Sequence, residues 1–253
     1  MLFSYDLQLV VASIVVATVG AYASFDLMVQ YRHAQATKRK PLLAASAVAM
    51  GGSIWAMHFI AMLAVQLPVE IRFDVLTTFV SAIVSILATG VALVIGVTSA
   101  PSRRRTILGG VVMGAGIAAM HYIGMGGIRA NCVISYELAW VVVSIVIAVA
   151  TSVAAIAAGM TLRGFHRRAV AAALMGVSVS GMHYSSMVGT AFRPAAETLT
   201  FAQPMLSAFG LGMTTALVTF LILGFTLWIL VPDGSPDQAA AMHKTVAPAS
   251  IPD

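Results

Sequence analysis

Seven runs of apolar residues, divided by short polar stretches, dominate the chain: Leu7–Val29, Leu43–Val65, Val75–Thr98, Ile107–Ile128, Leu138–Thr161, Arg168–Gly189 and Met205–Val231. Each matches the roughly 20 apolar residues that carry a helix across a bilayer. A helix is the natural form, because its internal hydrogen bonds satisfy a backbone that lipid cannot. The Gly, Ala and Ser within the runs suit close packing between membrane helices. The pattern predicts an all-α membrane protein with seven transmembrane helices over residues 1–231. Residues 232–253, rich in Pro, Ala and polar side chains, are expected to form a disordered cytoplasmic tail.

Composition narrows the class further. Of 253 residues, 60% are hydrophobic and 9% charged, and mean hydropathy is +0.95; soluble domains carry about 25% charged residues. The net charge of +5 does not read as a nucleic-acid surface, because the basic residues sit in clusters between apolar runs. Those clusters alternate. Odd-numbered connections carry Arg32, Lys38, Arg39 and Lys40; Arg103, Arg104 and Arg105; then Arg163, Arg167 and Arg168. Even-numbered ones carry a single arginine each, Arg72, Arg129 and Arg193, accompanied by Glu70 and Asp74, Glu137, and Glu197. The positive-inside rule then places the odd connections and the C-terminus in the cytoplasm and the N-terminus outside. The N-terminus lacks the positive region and cleavage site of a signal peptide, so the first run is expected to be retained. One cysteine, Cys132, excludes an intramolecular disulfide.

Self-comparison of the chain brings out its chemistry. Met50–Met62 reads MGGSIWAMHFIAM, Met113–Met125 reads MGAGIAAMHYIGM, and Met175–Met187 reads MGVSVSGMHYSSM. His58, His121 and His183 fall 63 and 62 residues apart, so each repeat spans two helices and returns the chain to the same side. The repeats are parallel, and suit an arrangement about an axis along the membrane normal. At about 100° per residue, positions i and i+4 share a helix face. His58 thus pairs with Met62, His121 with Met125 and His183 with Met187. Gly51, Gly114 and Gly176, seven residues earlier, lie on that face and allow close helix approach. Met57, Met120 and Met182 point about 100° away and either complete a second site or pack. All three histidines fall at one depth, in the outer third of the bilayer.

Ionisable groups inside a membrane are costly and mark function. Imidazole with thioether suits copper, above all Cu(I), whereas zinc calls for more thiolate or carboxylate and calcium or magnesium for oxygen. Haem held by His or Met is chemically open but less favoured, since nothing identifies a porphyrin pocket. The alternative readings of the motif are structural hydrogen bonding and a proton relay.

The triple Met-His-aromatic motif and the seven-run layout resemble the MHYT family of bacterial integral-membrane sensor domains, over approximately residues 7–230. The resemblance implies residence in the bacterial cytoplasmic membrane and sensing of oxygen, carbon monoxide or nitric oxide through bound copper. It also implies coupling to cytoplasmic signalling modules, often cyclic-di-GMP enzymes, and makes the motif histidines and methionines the copper ligands. The position named for threonine is Ile60, Ile123 and Ser185, and the aromatic is Phe59 in the first copy against Tyr122 and Tyr184. With no output module read in the sequence, sensing calls for a separate cytoplasmic partner.

Asp26 is expected to pair with the basic connection beginning at Arg32, Trp55 to pack rather than cover the site, and Cys132 to stand apart from it. Trp140 and Trp228 fit the interfacial aromatic belt, and the arginine clusters suit anionic lipid. A copper transporter or store is the alternative function, with Met50, Met113 and Met175 as a deeper ligand set; an assembly partner of a redox enzyme is the third. No paired acid–base or nucleophile arrangement suggests an enzyme.

Overall fold

The computed structural model describes residues 3–98, 102–162, 164–195 and 204–230. The tail, Arg163, Glu197 and the side chain of Trp228 lie outside the described residues. Seven helices are described: α1 (Leu7–His33), α2 (Ala36–Leu63), α3 (Val75–Val97), α4 (Arg103–Gly126), α5 (Leu138–Thr161), α6 (Phe165–Val188) and α7 (Ala208–Leu230). All but α6 are long and apolar enough to cross a membrane. α6 has the same 24 residues as α4 and α5; His166, Arg167, Arg168 and His183 lower its hydropathy.

The helices reach further than the apolar runs. α2 begins at Ala36, α4 at Arg103 and α6 at Phe165. Lys38–Lys40, Arg103–Arg105 and Arg167–Arg168 therefore ride on first helical turns instead of loops. Hydropathy registers a helix's apolar middle and misses a polar turn that continues the same backbone ladder. Pro41 lies inside α2 at its sixth position, past the first turn, so it removes the hydrogen bond that an N–H there would make to the Thr37 carbonyl.

Helices α1 to α6 form a closed ring: consecutive helices pack on one another, and α6 packs on α1. α7 stands outside the ring, chiefly against α2. The motif glycines set the register. A Cβ on Gly51 would stand 2.8 Å from the Ile86 backbone of α3, one on Gly114 2.6 Å from the Val149 backbone of α5, and one on Gly176 2.9 Å from the Thr18 backbone of α1. No larger side chain fits such approaches. The third motif helix thus takes α1 as its partner, where chain order would have supplied α7. The supernumerary helix is α7.

Short antiparallel ribbons cap the end of the ring opposite the basic clusters. β1 (Ser4–Tyr5) pairs with β2 (Val65–Gln66), and β5 (Cys132–Tyr136) pairs with β6 (Thr190–Pro194). β3 (Arg72–Asp74) pairs with β4 (Ile128–Arg129) and also with β7 (Met205–Leu206). The β1–β2, β3–β4 and β5–β6 pairings each tie the segment before an odd-numbered helix to the segment after an even-numbered one, while β3–β7 joins the segments before α3 and α7. Asp6, Asp74 and Glu137 then stand at the N-caps of α1, α3 and α5. An all-α reading misses these strands because two to five residues are too few to show a period of two.

Asp26 finds a different partner from the one expected. Its carboxylate accepts from Arg168 of α6 at 2.8 Å and from Gln30 at 3.3 Å. Arg32 instead donates to the Met160 carbonyl. Ring closure brings α6 against α1, a proximity that sequence distance hides.

Candidate metal centre

The motif helices α2, α4 and α6 end in parallel, and each histidine lies five residues before the last residue of its helix, Leu63, Gly126 or Val188. At about 1.5 Å per residue this is one shared layer beneath the ribbons. His58, His121 and His183 are buried there, at 1%, 0% and 0% exposure. Their Nδ1 atoms form a triangle with sides of 3.1, 3.2 and 3.4 Å. The rings meet edge-on, with centroids 4.9 to 5.2 Å apart.

Hydrogen bonds alone cannot satisfy that triangle. An Nδ1 that carries a hydrogen has no lone pair with which to accept one, so a closed cycle of three donors is impossible. The centre of the triangle lies about 1.9 Å from each nitrogen, close to the roughly 2.0–2.1 Å of a metal–imidazole bond. A metal ion fits this donor set: three sp² nitrogens of borderline softness, with no carboxylate in the group. Among the described residues, these histidines form the one cluster of three or more His, Cys, Asp or Glu with ligand atoms in mutual reach.

The outer nitrogens differ. His121 Nε2 lies 2.9 Å from Ser186 Oγ, which lies 3.1 Å from the Tyr122 hydroxyl. Tyr122 is in turn 2.9 Å from Ser144 Oγ, and Ser144 donates to the Val141 carbonyl at 2.8 Å. A carbonyl only accepts, so satisfying every link gives the chain a single direction. Ser144 donates to Val141, Tyr122 to Ser144, Ser186 to Tyr122, and His121 Nε2–H to Ser186. The His121 Nδ1 lone pair must then face the centre. His58 Nε2 and His183 Nε2 are buried without a partner. Aligning the motifs shows why: Ser186 occupies the position held by Ala61 and Gly124, and a Cβ on Gly124 would stand 2.5 Å from His58 Nε2.

An aromatic tier separates the layer from the ribbon end. Phe59, Tyr122 and Tyr184 each stand edge-on to the preceding histidine. Each also meets an aromatic from the ribbon segments: Phe73 at 6.2 Å, Tyr136 at 5.5 Å and Tyr5 at 5.5 Å, respectively. The first copy is phenyl at both places. Serines one helix away follow the same pattern: Ser144 faces Tyr122, Ser13 faces Tyr184 at 3.3 Å, and Ser81 accepts from the Trp55 indole at 3.2 Å because Phe59 has no hydroxyl. Trp55 also donates to the Thr78 carbonyl, so it packs between α2 and α3. Burial pushes the Tyr5 and Tyr136 phenols up to about 12, which keeps both protonated.

Met57, Met62, Met120, Met125, Met182 and Met187 are all buried in the same core as the histidines, as are Met50, Met113 and Met175. Among the described His, Cys, Asp and Glu side chains, the ligand atoms brought into one another's reach are the three histidine ring nitrogens. Cys132 is buried on β5 as a free thiol, its pKa raised by burial, and stands apart from the histidine cluster. Trp140 packs its Cβ and ring against Gly189 at the end of α6. Sequence reading did not single out Ser186, Gly124 or Ser144. The signal was a column of small residues, Ala61, Gly124 and Ser186, three positions after each histidine, where a neighbouring ring needs space.

Comparison with known proteins agrees with the repeat. The family model described as the bacterial signalling protein N-terminal repeat, MHYT, matches residues 51–110 and 114–173. The chain is 32% identical over 247 residues to the bifunctional diguanylate cyclase/cyclic di-GMP phosphodiesterase MucR of Pseudomonas aeruginosa, covering 96% of this chain and 36% of that protein. It is 33% identical over 198 residues to the signaling protein YkoW of Bacillus subtilis, covering 75% and 24%. It is 26% identical over 231 residues to the cyclic di-GMP phosphodiesterase NbdA of Pseudomonas aeruginosa, covering 89% and 29%. The chain thus spans about a third or less of the length of these relatives. No solved structure matches it. The third motif, on α6, lies beyond the matched repeats, and the ring supplies it as the third corner of the histidine triangle. Sequence repeat, relatives and geometry together make this chain a member of the MHYT family of bacterial integral-membrane sensor proteins.

Proposed function

We propose that the bundle is a copper-holding sensor of the bacterial cytoplasmic membrane that responds to a diatomic gas (oxygen, carbon monoxide or nitric oxide) or to redox state. All seven helices cross the bilayer in this reading, with the ribbon end outside and the basic end in the cytoplasm. The observation that carries it is the Nδ1 triangle, which hydrogen bonding leaves unsatisfied and a trigonal soft ion would complete. His58, His121 and His183 hold the ion, and the buried motif methionines supply further soft donors. Copper(I) supplies a soft centre able to take a small π-acceptor ligand. His121 is oriented through Ser186, and the aromatic tier excludes water. The chain itself performs no reaction; its state passes to a cytoplasmic signalling partner, of the kind for which the cyclic di-GMP relatives MucR and NbdA are named.

The test is metal analysis of detergent-purified protein expressed with adequate copper, alongside a variant with all three histidines changed to alanine. Stoichiometric copper in the wild type, its loss in the variant, and carbon monoxide binding to the reduced form support the reading. A copper-free wild type overturns it.

A further inference from the structure

α7 breaks the threefold pattern and leaves a cavity where it meets α1 and α2. The ring has three equivalent seams between an odd-numbered helix and the motif helix after it. On the first, Gly20 of α1 meets Ser53 of α2; on the second, Ala88 of α3 meets Gly116 of α4. α7 roofs only the first, with Ile222 pressed onto Gly52. Between α1, α2 and α7 lies a cavity of about 140 Å³, walled by Val15, Val16, Val19, Ser53, Ile222 and Leu223 among others.

We infer that this cavity is a binding site for a small apolar gas molecule, entered sideways from the lipid. The inference rests on the sensor reading proposed above and names the route by which its ligand arrives.

Three observations carry it. The wall offers no free polar group: the Ser53 hydroxyl donates to the Met50 carbonyl at 3.0 Å, and that of Thr219 to the Thr215 carbonyl at 2.7 Å. A dry apolar cavity of about 150 Å³ is known to take up benzene or xenon while excluding water. The mouth faces the lipid side: Val15 and Val19 are 52% and 40% exposed on a helix long and apolar enough to span a bilayer. Small apolar solutes favour hydrocarbon over water, so a ligand for the centre is concentrated on that side. Finally, the cavity reaches the same helix as the metal centre. Ser53 precedes His58 by five residues, about 7.5 Å along the helix axis.

Xenon is the probe for the site, because it binds by size and dispersion and needs no copper. Purified protein under xenon pressure should show one saturable site by xenon NMR. Val19→Trp, which fills the mouth, should abolish it; Ile222→Ala, which enlarges the chamber, should retain it; and Val146→Trp, at an exposed valine of α5 on a helix that does not line the cavity, should leave it unchanged. In copper-loaded protein, Val19→Trp should also slow carbon monoxide combination several-fold with copper content unaltered. Absence of saturable xenon binding, or an acyl chain found resident in the groove, overturns the site. Xenon binding with an unchanged carbon monoxide rate overturns its role as the route. A copper-free wild type would defeat the sensor reading while leaving the xenon result readable.

Discussion

His121 Nε2 stands 2.9 Å from Ser186 Oγ, and this one contact makes a threefold histidine set inequivalent. The hydroxyl chain beyond Ser186 ends on a carbonyl, so His121 must donate through Nε2 and offer Nδ1 to the centre. Outer-shell partners of this kind fix tautomer and ring orientation, and their loss costs about 10–100-fold in metal affinity. Ser186→Ala should weaken copper binding in that range while the protein still folds. Competition titration against a copper(I) chelator measures it, with Ser185→Ala as control, since Ser185 bonds only the Met182 carbonyl of its own helix. Equal affinity in the two variants would remove the orienting role.

Gly124 tests the packing of the centre. A Cβ there would stand 2.5 Å from His58 Nε2 and 3.2 Å from the Phe59 ring. Overpacking a tight core costs about 1–3 kcal/mol. Gly124→Ala should therefore lower the melting temperature in detergent and displace His58 from the triangle, reducing copper affinity as well. Gly126, two residues on, has nothing within 4 Å of a built Cβ. Gly126→Ala should be neutral or slightly stabilising, because alanine favours helix by up to about 1 kcal/mol. If the two substitutions behaved alike, the close approach at Gly124 would not be structurally decisive.

The seam that closes the ring carries its own test. Asp26 and Arg168, with side chains 20% and 16% exposed, meet at 2.8 Å between α1 and α6. Arg168 Nε has no partner, so the guanidinium depends heavily on that carboxylate. Asp26→Asn should cost about 1–3 kcal/mol, the penalty for leaving a covered polar group poorly satisfied. Adding Arg168→Gln should cost less than the sum of the single changes, as a double-mutant cycle followed by thermal unfolding would show. Additive losses would mean that the pair contributes little to ring closure.

What the sequence made legible follows from the length scale of each signal. Runs of about 20 apolar residues are long enough to announce helices, and three copies of one string announced the histidine layer. The convergence of His58, His121 and His183 was foreseeable because a two-helix repeat returns each histidine to one depth. The ribbons were not legible: β1 is two residues long. Nor was the partner of Asp26, since Arg168 lies far along the chain and meets it only when α6 closes on α1. Ser186 was hidden for a subtler reason. The comparison of repeats rewarded identity, whereas the column Ala61, Gly124, Ser186 is informative through its variation within a common small size. The place of α7 was invisible too, because by apolar character it resembles α3 and α5, and only the glycine registers show that α1 has taken its seat.

Asp74 gives a pH dependence whose sign is fixed by its contacts. Its carboxylate caps α3, accepting from the Thr77 hydroxyl at 2.5 Å and the Thr77 amide at 2.8 Å. The Thr77 hydroxyl, then the Thr77 amide, hold it below the usual carboxylate range; Arg129 adds to this, while burial works the other way. A carboxyl whose pKa is lower folded than unfolded stabilises the fold above its unfolded value, about 3.9, and loses that contribution as pH falls through the folded value. Asp74→Ala should therefore cost about 0.5–2 kcal/mol near neutral pH, the usual worth of an N-cap. The gap between wild type and variant should hold steady from pH 5 to 8 and narrow below about pH 4. Thermal unfolding of both proteins in detergent at pH 7 and at pH 3.5 measures the change. A gap of equal size at both values would show that the α3 cap does not depend on the carboxylate charge, and would assign its stability to the neutral contacts of β3 with β4 and β7 instead.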